Sequence, residues 1–150
     1  MAAPKAVVRD FVRQTLGCSC PEHVFDRIED AQCPAGPGLP AYRRLVIGDR
    51  LLIYLVTPAE AVDAGSAASE TRLAAQLPAL LASGRDERNR LGLNRFRVVV
   101  ASADPPPLEP VLRDVFEAFR GRGGDDKLHL HVVAAVTCPP SPVDGDEHGG

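Results

Sequence analysis

Apolar residues recur along the chain at two different spacings, and the spacing changes from one segment to the next. Some segments place them every three or four positions, which predicts amphipathic helices, and others are continuous β-rich runs, which predict buried strands. Helices are predicted over 5–16, 21–28, 69–81 and 108–120, with Pro78 kinking or ending the third. Strands are predicted over 42–47, 50–56, 96–101 and 128–136.

The clearest pair of strands flanks Gly48 and Asp49. A Gly-Asp pair between two β-rich runs predicts a two-residue hairpin in which the glycine takes a positive φ. The second arm, 50–56, is apolar on both faces and is predicted to be a central strand. Residues 30–33 fit either the end of the second helix or a short edge strand.

The order of these elements predicts the fold class. The chain reads helix, helix, β-hairpin, helix, strand, helix, strand, and its later part favours right-handed parallel crossovers. We expect one α/β domain over residues 1–138, with a mixed, mostly parallel sheet of four or five strands. The hairpin belongs to that sheet, helices cover both faces, and an N-terminal helix pair precedes it. Residues 139–150, rich in Pro, Gly and acid, are expected to be disordered.

Composition narrows the class of protein further. Hydrophobic residues make up 45% of the chain and charged residues 25%, as in ordinary globular proteins. No apolar run reaches the ~18 residues of a membrane span, and the N-terminus lacks the apolar region of a secretory signal. We therefore expect a cytoplasmic protein without membrane association. A net charge of −3 argues against a general nucleic-acid binder.

Candidate chemistry is concentrated between the first two predicted helices. Gly17 can end the first helix in a left-handed conformation, and Pro21 suits the first position of the second. The residue before a proline avoids the helical region, so Cys20 is predicted to be the N-cap. Unpaired backbone N–H groups at that end would favour a thiolate and lower the pKa of the Cys20 thiol.

The neighbours of Cys20 extend this site. Cys18 could be its resolving partner in a redox pair, and His23, three residues downstream, could serve as a base or a ligand. Glu22 opposes the thiolate, because a nearby negative charge disfavours it. The predicted catalytic residues are Cys20, Cys18 and His23. In the alternative interpretation, both cysteines are small apolar fillers at a helix junction.

The same segment could bind a metal. Four cysteines are too few for a disulfide scaffold of this size, so in a reducing compartment they are expected to be free, metal-bound or redox-active. A soft ligand set for zinc or an iron–sulfur cluster would combine Cys18, Cys20, His23 and Cys33, and Cys138 could replace one member. Only half of the usual structural zinc pattern, two pairs of ligands spaced two to four apart, is present in the sequence.

Other polar residues also stand at defined positions. His129 and His131 alternate on a predicted strand and therefore point to one face. They could be metal ligands or a proton-transfer pair, and the simpler interpretation is that they form the polar face of that strand. Thr57, Ser102 and Asp104 follow predicted strands. Arginines that could bind a phosphate or an acidic partner, or form a solvated surface, are Arg85, Arg88, Arg90, Arg95, Arg97, Arg120 and Arg122.

Two functions are therefore open. The first is a small thiol-redox or metal-binding protein that acts through Cys18-Ser19-Cys20-Pro21. The alternative is a non-catalytic interaction module, which would bind a protein partner or a second copy of itself through a sheet edge, the arginines or the acidic tail. An enzyme at the strand ends rests on analogy of fold alone.

Overall fold

The computed structural model describes residues 5–17, 21–56, 67–102, 104–121, 127–134 and 137–139. The α-helices in these ranges are α1 (Lys5–Asp10), α2 (Ala67–Leu91) and α3 (Pro105–Gly121). A π-helical turn (Phe11–Thr15) continues α1, and a 3-10 helix spans Glu22–Asp26. The strands are β1 (Ile28–Cys33), β2 (Tyr42–Ile47), β3 (Leu51–Val56), β4 (Arg95–Ser102) and β5 (Leu128–Ala134). The predicted C-terminal tail lies outside the described residues, except for Pro139.

The strands form one five-stranded sheet whose spatial order follows the chain, β1-β2-β3-β4-β5. The pairings β1–β2 and β2–β3 are antiparallel, whereas β3–β4 and β4–β5 are parallel. The predicted mixed α/β sheet is thus confirmed, but it is not mostly parallel. The difference comes from residues 28–33, which form a full edge strand instead of the end of a helix and add a second antiparallel pairing.

The hairpin and the central strand largely follow the sequence. Every residue of β3 is buried between β2 and β4, as its uniform apolarity predicts. The register pairs Ile47 with Leu51, so the turn holds three residues and not the predicted two. Within the turn, Arg50 donates its N–H to the Ile47 carbonyl at 3.3 Å. Gly48 has φ +59°, as expected, and a Cβ there would lie 2.9 Å from the side chain of Val24.

Helix α2 is longer than its sequence suggests. It runs without interruption through Pro78 and through the charged segment 85–90, whereas the predicted helix ended at residue 81. Leucines on both sides of the proline, Leu73, Leu77, Leu80 and Leu81, pack on the sheet, and this packing offsets the backbone hydrogen bond that proline lacks. None of the described helices is both long and apolar enough to cross a bilayer.

Alternate residues of the strands divide the core between two faces of the sheet. On what we term the first face, α2 and α3 pack against residues such as Leu52, Tyr54 and Phe96. On the second face, the N-terminal segment packs against residues such as Ile53 and Val99. Both crossover helices therefore lie on one face. On the second face, the N-terminal segment buries apolar residues that are spaced three or four positions apart, which are Val8, Phe11, Val12 and Leu16.

Candidate functional site

The segment that carries the predicted thiol site is only partly described. Cys18 and Cys20 lie outside the described residues, so their proposed roles stay predictions. Gly17 has φ +74°, which fits its predicted place at the end of the first helical segment.

Pro21, however, is extended (φ −63°, ψ 156°) and precedes a 3-10 helix of five residues that begins at Glu22. The predicted helix over 21–28 is therefore wrong, because Arg27 is already extended and leads into β1. A single 3-10 turn supplies little dipole to a thiol beside it. His23 lies exposed on that turn.

The other two predicted metal ligands do not come together. Cys33 lies directly across from Tyr42, which packs against the first-face core, and cross-strand neighbours point the same way. Cys138 packs against the second-face core, and burial raises the pKa of its thiol. Both thiols are free. One ion cannot share sulfurs on opposite faces, and no cluster of three potential metal ligands occurs among the described residues.

The structure instead gathers two arginines and two histidines on the second face. Arg95 and Arg97 alternate along β4, and His129 and His131 alternate along the adjacent β5, so all four side chains point the same way. The parallel register places Arg97 opposite His129. We call these four residues the Arg–His cluster.

Each arginine of the cluster is bonded to one histidine. Arg95 Nη1 lies 3.0 Å from Nε2 of His129, and Arg97 Nη1 lies 2.8 Å from Nε2 of His131. A guanidinium has donors and no acceptor, so both Nε2 atoms must be the acceptors. In this state each imidazole is neutral and carries its proton on Nδ1.

Arg97 is the buried member of the cluster, with only 8% of its surface exposed. Besides His131, it donates to the backbone carbonyl of Leu16 at 3.4 Å. Its Nε is buried, and no described group accepts a hydrogen bond from it. Burial, and secondarily the charge of Arg95, lowers the pKa of Arg97 from its ordinary value. A guanidinium nevertheless keeps its charge in a protein.

A second buried arginine on the same face, Arg43, differs from Arg97 because it has a carboxylate partner. Arg43 is 5% exposed and donates from Nε and Nη2 to the two carboxylate oxygens of Asp30, at 2.8 and 2.7 Å. Its Nη1 donates to the carbonyl of Pro139 at 2.7 Å. Arg43 therefore has a carboxylate partner and a hydrogen bond from each of its three nitrogens, whereas no described carboxylate lies within ion-pair distance of Arg97.

The histidine beside Arg97 is strongly perturbed. Burial lowers the pKa of His131 to about 4, and the cations Arg97 and Arg113, together with His129, act in the same direction. His131 nevertheless remains partly exposed, and so do His129 and Arg95. The cluster is thus a cationic site with an open side, and its His131 imidazole resists protonation.

The first face carries a polar network of another kind. Glu87 accepts from Tyr54 Oη at 2.5 Å and from Arg44 Nε at 2.7 Å, and Arg90 lies 3.7 Å from the same carboxylate. These bonds lower the pKa of Glu87, although burial alone would raise it. Both arginines of this network therefore have a carboxylate partner, and the network belongs to the packing between α2 and the sheet.

Every member of the Arg–His cluster is a candidate in the sequence, but their contact is not predicted there. In the sequence Arg95 and Arg97 stand near the arginines of residues 85–90, which lie on α2 at the first face. His129 and His131 stand on a separate predicted strand. The usable signal was the same alternation in two consecutive predicted strands, since neighbouring parallel strands present alternate side chains to a common face.

Comparison with known proteins adds no relative. No protein-family model, no curated protein and no solved structure matches this chain.

Proposed function

We propose that this protein binds a small ligand through an anionic group, a phosphate or a carboxylate, at the Arg–His cluster. The observation that carries the proposal is Arg97, a buried guanidinium without a described counter-charge and with an unbonded Nε. Burying a charge is unfavourable unless it is paired and hydrogen-bonded. On the same face of the sheet, Arg43 is paired with a carboxylate. The fold can therefore supply a counter-charge to a buried arginine, and at Arg97 no described residue does so.

The chemistry of the cluster suits an oxyanion. A guanidinium offers its donors in a planar fork that matches phosphate and carboxylate oxygens. Arg95 contributes a second positive charge two residues along β4, and each histidine adds a ring nitrogen. Partial burial lowers the local dielectric and strengthens the attraction. The partly exposed rings of His129 and His131 leave a route for the ligand from solvent.

The direct test is a titration of ¹⁵N-labelled protein with inorganic phosphate, sulfate and acetate at low ionic strength. Binding should shift the resonances of Arg95, Arg97 and the two histidines. The variant Arg97→Met should lose binding, and Arg97→Lys should retain part of it because it keeps the charge but not the fork. Arg27→Met is the matched control, since Arg27 is 79% exposed and lies outside the cluster. Equal binding by the wild type and Arg97→Met would refute the proposal.

Thiol chemistry at Cys18 and Cys20 remains a second candidate, as a redox pair or as ligands to zinc or an iron–sulfur cluster. Two contacts favour it. Arg97 binds the carbonyl of Leu16, which brings a cation to the start of this segment. The carboxylate of Glu22, which would oppose a thiolate, is engaged by three cations, Lys5, Arg9 and Arg13, at 3.9, 3.0 and 3.4 Å. In a reducing cytoplasm these thiols would be free to react.

The test uses the variant Cys33→Ala/Cys138→Ala, which leaves Cys18 and Cys20 as the reactive thiols. The pH dependence of their alkylation, followed by mass spectrometry, gives each thiol pKa. Values well below the ordinary ~8.5 support thiolate chemistry. Values near 8.5, in protein that also holds no metal after purification without chelator, remove this candidate.

A further inference from the structure

We propose that His131 changes from hydrogen-bond acceptor to hydrogen-bond donor when the anion binds, so that ligand binding takes up one proton from solvent. This inference rests on the proposed anion site and adds its regulation by pH. It is carried by the contact between Arg97 Nη1 and His131 Nε2 at 2.8 Å.

The contact defines the state of the ligand-free cluster. Arg97 can only donate, so the Nε2 lone pair of His131 receives its N–H. An oxyanion is a stronger acceptor for a guanidinium than a neutral imidazole is. When the ligand takes over the donors of Arg97, the Nε2 lone pair of His131 loses its partner and faces the oxygens of the anion.

Two acceptors that face each other repel, and one proton removes the conflict. The neutral ring gains H⁺ at Nε2, becomes an imidazolium and donates to the anion, while Nδ1 keeps the proton it already carries. No electron is transferred and no covalent bond to the ligand forms. The cluster then presents three positive charges, from Arg95, Arg97 and His131, where the free state presents two.

The surroundings of His131 make this change dependent on the ligand. The groups that act on the ring are Arg97 from β4, His129 from β5 and Arg113 from α3, with Arg95 next to Arg97, and all are cationic or become so on protonation. With burial, they hold the pKa of His131 at about 4 without ligand. A bound anion places negative charge against the ring and raises that pKa. Binding should therefore strengthen as the pH falls towards the pKa of the bound state.

His129 provides the matched comparison. Its Nε2 lies 3.0 Å from Arg95, which is partly exposed, whereas His131 is bonded to the buried Arg97. A ligand drawn to Arg97 displaces the partner of His131 first. The variant His131→Gln keeps an acceptor for Arg97 but cannot take up a proton, and His129→Gln makes the same change at the other ring.

Calorimetry of sulfate binding tests the proposal, because sulfate is a dianion that does not itself titrate near neutral pH. The titration is run at about pH 6 in buffers of different ionisation enthalpy, and the slope of the observed heat against that enthalpy counts protons. We expect about one proton taken up per sulfate by the wild type and by His129→Gln, and about none by His131→Gln. In parallel, the histidine NMR signals of the wild type should show the pKa of His131 rising from about 4 when sulfate is added.

The outcomes separate this inference from the proposed function. Sulfate binding without proton uptake by the wild type, or with equal uptake by His131→Gln, overturns the switch and leaves the anion site standing. No sulfate binding by the wild type overturns the anion site and the switch with it. If His131→Gln does not fold, the NMR titration of the wild type decides, and a His131 pKa that sulfate does not move overturns the switch.

Discussion

Arg43 and Asp30 form a two-pronged ion pair inside the protein, with Nε to Oδ1 at 2.8 Å and Nη2 to Oδ2 at 2.7 Å. The side chain of Asp30 is 0% exposed and that of Arg43 is 6% exposed. The guanidinium therefore gives this buried carboxylate a bidentate cationic partner. This pair is the reference against which the second buried arginine of the same face, Arg97, can be measured.

Replacing Arg43 by methionine should lower the free energy of unfolding by about 3–5 kcal/mol, because it removes the bidentate cationic partner of the buried carboxylate of Asp30. Urea unfolding followed by circular dichroism measures the loss. The double variant Asp30→Leu/Arg43→Met removes both charges and should recover most of it. A loss below about 1 kcal/mol for the single variant would contradict the assigned role of the pair.

Replacing Arg97 by methionine should have the opposite sign. The substitution removes a buried charge that lacks a described counter-ion, so the free energy of unfolding should stay unchanged or rise by about 1 kcal/mol or more. The same urea experiment, without phosphate or sulfate, applies. A loss above about 2 kcal/mol would mean that Arg97 is needed for folding, and its burial would then no longer argue for a ligand.

Stability should fall as the pH is lowered from about 6.5 to about 4. The pKa of His131 is about 4 in the folded protein and near 6.5 in the unfolded chain. Between these values the unfolded chain binds the extra proton, so acid favours unfolding. The loss approaches ~3 kcal/mol at the lower end of this window, at about 1.4 kcal/mol per pH unit. Subtracting the urea stability curve of His131→Gln isolates this contribution, and parallel curves for the two proteins would contradict it.

The two tyrosines of the protein should resist ionisation at alkaline pH. Burial raises the pKa of both Tyr42 and Tyr54, and the bond from Tyr54 to Glu87 raises that of Tyr54 further. Near-ultraviolet absorbance should show little tyrosinate at about pH 10 in the folded protein and about half in guanidinium. Stability is therefore lost as the pH rises above about 10. Half-ionisation with the fold intact would contradict the burial of these rings.

Gly84 should not accept a side chain. It lies inside α2 against the ring of Phe96, and a Cβ there would lie 1.9 Å from Cζ of that ring. Gly84→Ala should lower the free energy of unfolding by about 1–3 kcal/mol through overpacking, although alanine is the better helix former. Gly121→Ala is the control, since a Cβ at Gly121 meets no atom within 4 Å. Equal stability of both variants in urea would show that α2 can move away from the sheet.

The sequence was most informative about features that depend on a single helix or strand. The uniform apolarity of β3 predicted its central place, and the spacing of Val8, Phe11 and Val12 predicted the buried stripe of the first helix. These features depend on the period of one segment alone. Pro78 was misleading for the opposite reason, because the packing of α2 on the sheet outweighs the local tendency of proline to kink or end a helix.

The alternation in the two predicted strands indicates a common face for the four side chains, but the contacts between them depend on how the segments pair. Arg97 and His131 are 34 residues apart, and they meet only through the parallel register of β4 and β5. The separation of Cys33 from Cys138 likewise requires knowing which face each one takes. Side-chain type alone made the cysteines conspicuous, whereas charge compensation, which distinguishes Arg97 from Arg43, appears only in three dimensions.

The order of the strands has a consequence for how the protein is made. Each strand pairs with the strand that precedes it in the chain. During translation, each new strand can therefore add to the sheet that has already formed, starting from β1. The N-terminal helix is the exception, because the core it shares includes Val99 and Ala101 of β4. This helix therefore completes its packing only after β4 has been synthesised, and its apolar stripe stays partly uncovered until then.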